Sequence, residues 1–336
     1  MIENKNNISF FIVSFVIALQ AFAPVDTFAQ RKNWWGKTKY DGPAWVRNVS
    51  RPNDIDRGLD GHHISLWASH GRYYMHAKDR WKWQRVNLFC TNEDVFTQTF
   101  VVPYLIPMLE RAGANVFTPR ERDWQKHETV IDNDGAQMAV DGNIVSGAVT
   151  NYVEDGKWKD FPNAGFKIPY HFRMYDGDMP FTSGTARQVK TKKKKSTAFA
   201  IYTPKIVESG SYAVYVSYQT VRKSVEDAHY IVVHKGVETH FAVNQRMGGG
   251  TWVYLGTFDF DAGQSMDNCV IVDNMASSKG VVTTDAVRFG GGMGNVVRGN
   301  TTSNLARCME GARYYAQWAG APYKVYSQRD SFPSSH

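Results

Sequence analysis

The sequence predicts an α/β domain, incomplete in this chain, that is interrupted by an antiparallel β-sandwich or jelly roll. Three observations carry that expectation. Strand, helix and strand patterns succeed one another between residues 61 and 118, which is the order of a parallel βαβ unit. From about residue 180 the apolar period changes to two, in seven short runs of β-formers separated by Gly and Asn/Asp clusters. After residue 295 a helical pattern returns.

The first 29 residues read as a secretory signal. Lys5 precedes an apolar stretch from Ile8 to Ala23, and the small-residue end Thr27-Phe28-Ala29 stands before Gln30. A chain that starts its mature form near Gln30 works in the periplasm or outside the cell. Residues 30–60 are polar and aromatic without periodicity, so they read as an extended leading segment. Residues 61–179 hold the first α/β part. A strand begins at His63 and runs into the loop Ser69-His70-Gly71, and the end of a strand is where open α/β sheets place functional groups.

Thr91 is positioned to cap a helix in which Phe96, Phe100, Tyr104 and Met108 recur at helical spacing. Glu93 and Asp94 fall in its first turn and suit the positive end of the dipole. Pro103 and Pro107 should bend that helix or split it. Gly113 stops it, and Asn115 to Thr118 reads as the next strand. The inserted sandwich spans residues 180–294. Its expected strands are Ala198 to Thr203, Tyr212 to Gln219, His229 to His234, Thr239 to Asn244, Trp252 to Phe260, Val270 to Asp273 and Asp285 to Phe289. Residues 295–336 resume the α/β part, with a helix over Leu305 to Trp318 and a strand over Tyr323 to Tyr326.

Composition narrows the class. The 336 residues are 43% hydrophobic and 21% charged, so the chain is neither disordered nor collagen-like. Lys and Arg total 39 against 32 Asp and Glu, a formal charge of +7, which is compatible with an anionic polymer partner. Lys190 and Lys192 to Lys195 form one run, read first as a solvated loop. Three cysteines, Cys90, Cys269 and Cys308, imply neither a disulfide framework nor a thiolate metal site. Export makes cytosolic nucleic acid a poor partner. The triple glycines at 248–250 and 290–292 lack the order of a phosphate-binding loop and read as turns.

Residues 58–123 resemble the front half of a zinc-dependent N-acetylmuramoyl-L-alanine amidase. The resemblance rests on Ser69-His70-Gly71, on Glu93, and on the strand leading into Thr118-Pro119-Arg120-Glu121-Arg122-Asp123. It implies zinc held by His70 and Glu93, substrate contacts from Arg120 and Arg122, and a further histidine and a catalytic glutamate expected downstream of residue 336. His62, His63 and His76 are the alternative third ligands within this chain.

Residues 181–294 are similar to the golvesin C-terminal-like domain. The matching stretches are Gly210 to Tyr218, Val243-Asn244-Gln245 with Gly248 to Gly256, and Thr284 to Gly292. Proteins with this combination are often labelled xanthan lyase.

Two function classes follow. The leading one is an exported peptidoglycan amidase, in which zinc-bound hydroxide attacks the amide between the lactyl group and L-alanine. The other is a non-catalytic cell-wall or polysaccharide-binding protein, with Tyr215, Tyr218, Trp252 and Tyr254 as stacking platforms. Those rings alternate within strands, so the competing expectation is that they fill the sandwich core. His70 could equally be an ordinary hydrogen-bonded loop residue, Glu93 a helix N-terminal carboxylate, and Arg120, Arg122 and Asp123 a surface ion cluster. A polysaccharide lyase would need a base set beside a uronate, and no such set is legible.

Overall fold

Strand alternation builds two six-stranded antiparallel sheets whose facing sides share one core. The computed structural model describes residues 42–53, 58–68, 70–145 and 151–327. The signal segment therefore lies outside the described residues, as do Ser69 and residues 30–41 of the leading segment. The first sheet runs in the order β1 (Val46–Asn48), β17 (Val237–Val243), β16 (Ala228–His234), β19 (Cys269–Asp273), β14 (Phe199–Tyr202) and β11 (Tyr152–Asp155). The second runs β10 (Asn143–Val145), β9 (Met138–Val140), β8 (Thr129–Asp132), β21 (Ala286–Phe289), β15 (Gly210–Val216) and β18 (Val253–Phe260).

Every strand expected between residues 198 and 289 is present. The sheets also draw in β1 from the leading segment and β8 to β11 from residues 129–155, all outside the 180–294 expected for the insert. A third, three-stranded sheet of β12 (Lys159–Gly165), β13 (Gly184–Lys190) and β20 (Val281–Thr284) adjoins them in sequence.

The second sheet is covered on both faces, and β15 shows why. Tyr212, Val214 and Val216 point into the core shared with the first sheet, beside Tyr202, Tyr230 and Val272. Ala213 and Tyr215 point the other way, into a second core with Phe166, Trp252, Tyr314 and Trp318. Both faces are apolar, so the strand reads as a nearly continuous hydrophobic run.

The α/β part is smaller than expected. Among the described strands only β2 (His63–Ser65) and β7 (Asn115–Phe117) pair in parallel. The segments between them include the short hairpins β3 (Tyr73–Met75) with β4 (Arg80–Lys82) and β5 (Asn87–Leu88) with β6 (Thr91–Asn92). The helix expected to bend or split is broken into Glu93–Phe96, Gln98–Phe100, a π turn at Val101–Leu105 and Ile106–Arg111. Pro103 and Pro107 cannot donate to the helical ladder; Pro103 falls in the π turn and Pro107 in the first turn of the last piece. Asn92, not Thr91, is the cap, its side chain accepting from the Asp94 N–H at 2.8 Å. An α/β domain of amidase type is thus not evident among the described residues, which form a strand-rich β-sandwich carrying one βαβ unit.

The last region departs from expectation at its end. The helix begins at Ala312, after a 3-10 turn at Arg307–Met309, and stops at Trp318. Tyr323–Tyr326 forms a helical turn instead of a strand, because Pro322 sets its start and its carbonyl accepts from the Val325 N–H at 2.8 Å. No described helix is long and apolar enough to cross a membrane.

Candidate functional site

His70 ends the loop after β2, and its partner is Asp94. The ring Nδ1 lies 3.6 Å from Asp94 Oδ1. Glu93, the expected metal ligand, is 63% exposed and sits 4.0 Å from Arg85 instead. The capping register decides this, because the Asn92 cap turns Asp94 inward to full burial and leaves its neighbour in solvent. Burial pushes the Asp94 carboxyl up, against the Arg85 N–H that donates to it at 3.0 Å. Asp94 is the residue that sequence reasoning passed over, standing next to Glu93 in the same first turn.

The other histidines are engaged elsewhere. His62 Nδ1 lies 3.1 Å from the Asp60 carbonyl, His63 Nε2 accepts from the Trp45 N–H at 3.1 Å, and the Tyr74 and His76 rings meet edge to face at 5.0 Å. Among the described residues no three His, Cys, Asp or Glu side chains are placed to hold a metal ion. A catalytic zinc site needs three protein ligands. His70 and Asp94 offer two, so the residues described here do not fit that metal.

Arg120 is turned to the backbone and not to a cleft. It is 1% exposed, and its guanidinium donates to the carbonyls of Glu310 at 2.9 Å, Cys308 at 2.7 Å, Ala68 at 3.2 Å and Asp94 at 3.4 Å, and also to that of His70. Burial pushes it down to about 10. Its observed work is to tie the His70 loop to the last region. Arg122 differs. It forks onto Glu110 at 2.7 and 3.0 Å, and its guanidinium carbon lies 3.9 Å from the Tyr254 ring centroid.

The expected stacking rings divide the same way. Trp252 is 6% exposed and packs on Phe166 at 4.8 Å and Phe181 at 5.3 Å, while Tyr215 and Tyr218 are also buried. Tyr254 is half-buried, its hydroxyl 2.9 Å from Thr257 Oγ1, and burial pushes its hydroxyl up.

Tyr254 stands on a cleft of 840 Å³ bordered by β1, β18 and the chain from β7 to Arg122. That volume lies within the range of small-molecule sites, about 300–1,000 Å³. Trp45, Phe117, Tyr254 and Phe258 give it aromatic walls, with Trp45 and Phe117 stacked at 4.9 Å. Arg47, Arg51 and Arg122 also line it. Trp45 is held by its indole N–H, which donates to Tyr218 Oη at 2.7 Å. The cleft was not foreseen, because Trp45 and Arg47 lie in a segment without periodicity and meet β18 only through the pairing of β1 with β17.

The strands that border this cleft on the sandwich side fall largely in one recognisable region. Residues 179–291 match the Golvesin C-terminal domain. That match coincides closely with the 180–294 segment expected from the sequence. The chain is 35% identical over 95 residues to a xanthan lyase of Bacillus sp. (strain GL1), an alignment covering 28% of this chain. It spans 10% of that relative's length. Among solved structures, a Paenibacillus xanthan lyase is 21% identical with a TM-score of 0.36, over 49% of this chain and 13% of that one. The C-terminal CBM6 of a marine laminarinase from Zobellia galactanivorans is 12% identical with a TM-score of 0.24, over 42% of this chain and 99% of that one.

Proposed function

We propose that this chain is an exported polysaccharide-binding protein that holds its ligand on the β-sandwich. The single observation that carries the reading is the cleft beside β18, where aromatic walls meet a few polar and charged groups. Sugar rings present apolar C–H faces to aromatic side chains and hydroxyls to polar ones, and this lining offers both. The sequence relation to a xanthan lyase supports polysaccharide as the ligand class. Export rests on Lys5, the apolar stretch from Ile8 to Ala23 and the small residues before Gln30. Anionic polysaccharides, peptidoglycan included, are the proposed partners.

The test is electrophoresis of the intact chain through native gels containing xanthan, soluble peptidoglycan fragments, mannan or a neutral β-glucan. Retardation in at least one gel supports the reading. Unchanged mobility in all of them, with circular dichroism showing a folded chain, overturns it.

A second reading, hydrolysis of the N-acetylmuramoyl-L-alanine amide, rests on the resemblance of residues 58–123 and on the approach of His70 to Asp94 at 3.6 Å, and the described residues supply no zinc site for it. Release of peptide from muropeptides by the intact chain, lost on His70→Ala, would place that chemistry above binding alone. Lyase activity is the third, and it would be seen as new unsaturated uronate ends on xanthan.

A further inference from the structure

We propose that Arg47 and Arg51 form a carboxylate-binding edge on the cleft, so that the saccharide it selects carries uronic acid. The proposal rests on the reading of the cleft as a polysaccharide site and names the residues that would set its specificity.

The charged groups lining the cleft are Arg47, Arg51, Arg122, Asp60 and Glu110. Arg122 and Glu110 neutralise each other in a two-bond fork at 2.7 and 3.0 Å. Arg51 makes one long bond, its Nη2 donating to the Glu110 carbonyl at 3.4 Å, and it is exposed. Arg47 is exposed on β1 and forms no ion pair with another described residue. Among the described lining residues, one exposed carboxylate, Asp60, stands against these two cations. The described lining therefore keeps an excess of positive charge after its internal pair is removed.

That excess is carried by guanidinium groups, which fork onto planar carboxylates and are more weakly hydrated than ammonium groups. Arg47 is also fixed in place by its strand. Its neighbours Val46 and Asn48 pair with Val243 and Phe241, and the Val46 N–H donates to Asn115 Oδ1 at 2.9 Å. The Arg47 side chain thus projects from a backbone anchored on two sides, beside the Trp45 ring that stacks on Phe117. A sugar ring against the aromatic wall would present its carboxylate to this edge. A neutral glucan has nothing to offer it.

Calorimetric titration of the intact chain tests this with three probes: an acidic oligosaccharide derived from xanthan, a neutral β-glucan oligosaccharide of equal length, and a sulfated polysaccharide. We expect the acidic probe to bind about tenfold or more tightly than the neutral one. The double variant Arg47→Gln, Arg51→Gln should reduce that binding to the neutral level. Lys193→Gln with Lys194→Gln, outside the cleft, should leave it unchanged. If the wild type binds saccharide and the arginine variant binds equally well, the assignment falls and the broader reading stands. Binding of the sulfated polymer at the same strength, with equal losses in both double variants, would overturn it in favour of a general field of positive charge. If no probe binds the wild type, the edge and the reading beneath it fall together.

Discussion

The Arg288 guanidinium stands 2.6 Å from a carboxylate oxygen of Glu121, and both side chains are completely buried. Arg288 also lies 3.4 Å from Glu128, which in turn receives Arg307 at 2.8 and 3.0 Å. Arg288 covers the Tyr215 ring at 3.8 Å, and Arg307 lies 4.9 Å from the Trp318 ring. These contacts tie three separate segments together: the chain after the βαβ unit, strand β21 and the last region. Two of these segments also line the cleft, through Pro119 and Arg122 after the βαβ unit and Ala316 and Ala319 in the last region, so the network holds part of its wall.

Removing one member of such a network strands a charge in the interior. Arg288→Met should therefore lower stability by about 3–5 kcal/mol, because Glu121 is left buried without a counter-ion. Urea denaturation followed by circular dichroism measures it. A loss below about 1 kcal/mol would show that the network relaxes around the gap.

Arg120→Lys tests the second hub. Lysine keeps the charge but not the planar fork that reaches several carbonyls at once. The variant should lose about 1–3 kcal/mol and show faster amide exchange near Ala68 and His70. Unchanged exchange there would mean that the loop is held by other contacts.

Stability should fall as pH rises from 5 to 8. Burial pushes Glu310 and Asp285 up to about 7 each. In the unfolded chain such carboxyls titrate near 4, so the folded state binds the proton more tightly. Their contribution is complete below the unfolded value and is lost as pH rises through about 7. Glu310→Gln removes one of the two, so the urea midpoint of that variant should decline less than that of the wild type. An identical decline in both would contradict the assignment to Glu310.

Gly248 packs against the Trp45 ring that walls the cleft. Its φ is +74°, and a Cβ there would come within 1.8 Å of the Trp45 ring. Gly248→Ala should cost more than about 1 kcal/mol from the backbone alone and should displace Trp45 from Phe117. The thermal midpoint and the affinity for polysaccharide should fall together. A stable variant with normal binding would show that Trp45 does not shape the site.

The sandwich strands were legible because alternation with Gly and Asn/Asp punctuation is a local signal. It located β14 to β19 and β21 to within a few residues. β8 to β10 were missed although Asp141-Gly142, with φ of 47° and 78°, is a strong hairpin signal between β9 and β10. The strands around it have three or four residues each, too few for a period to show. Asp94 was missed because neighbouring acids in a first turn are alike until the cap fixes which one faces inward. Arg120 read as functional from the amidase resemblance and Trp252 from its ring, whereas their burial is set by contacts from the distant segments around Cys308 and Trp318. The cleft itself depends on β1 meeting β17, a pairing of residues about two hundred positions apart that no local pattern records.

The most direct test is hydrogen exchange on the intact chain with and without the polysaccharide that retards it in gels. The cleft reading predicts added protection in residues 44–48 and 253–258, with the β11 edge of the sandwich unchanged. Protection confined to another face, or none in those two segments at saturating ligand, would contradict the placement of the binding site on this cleft.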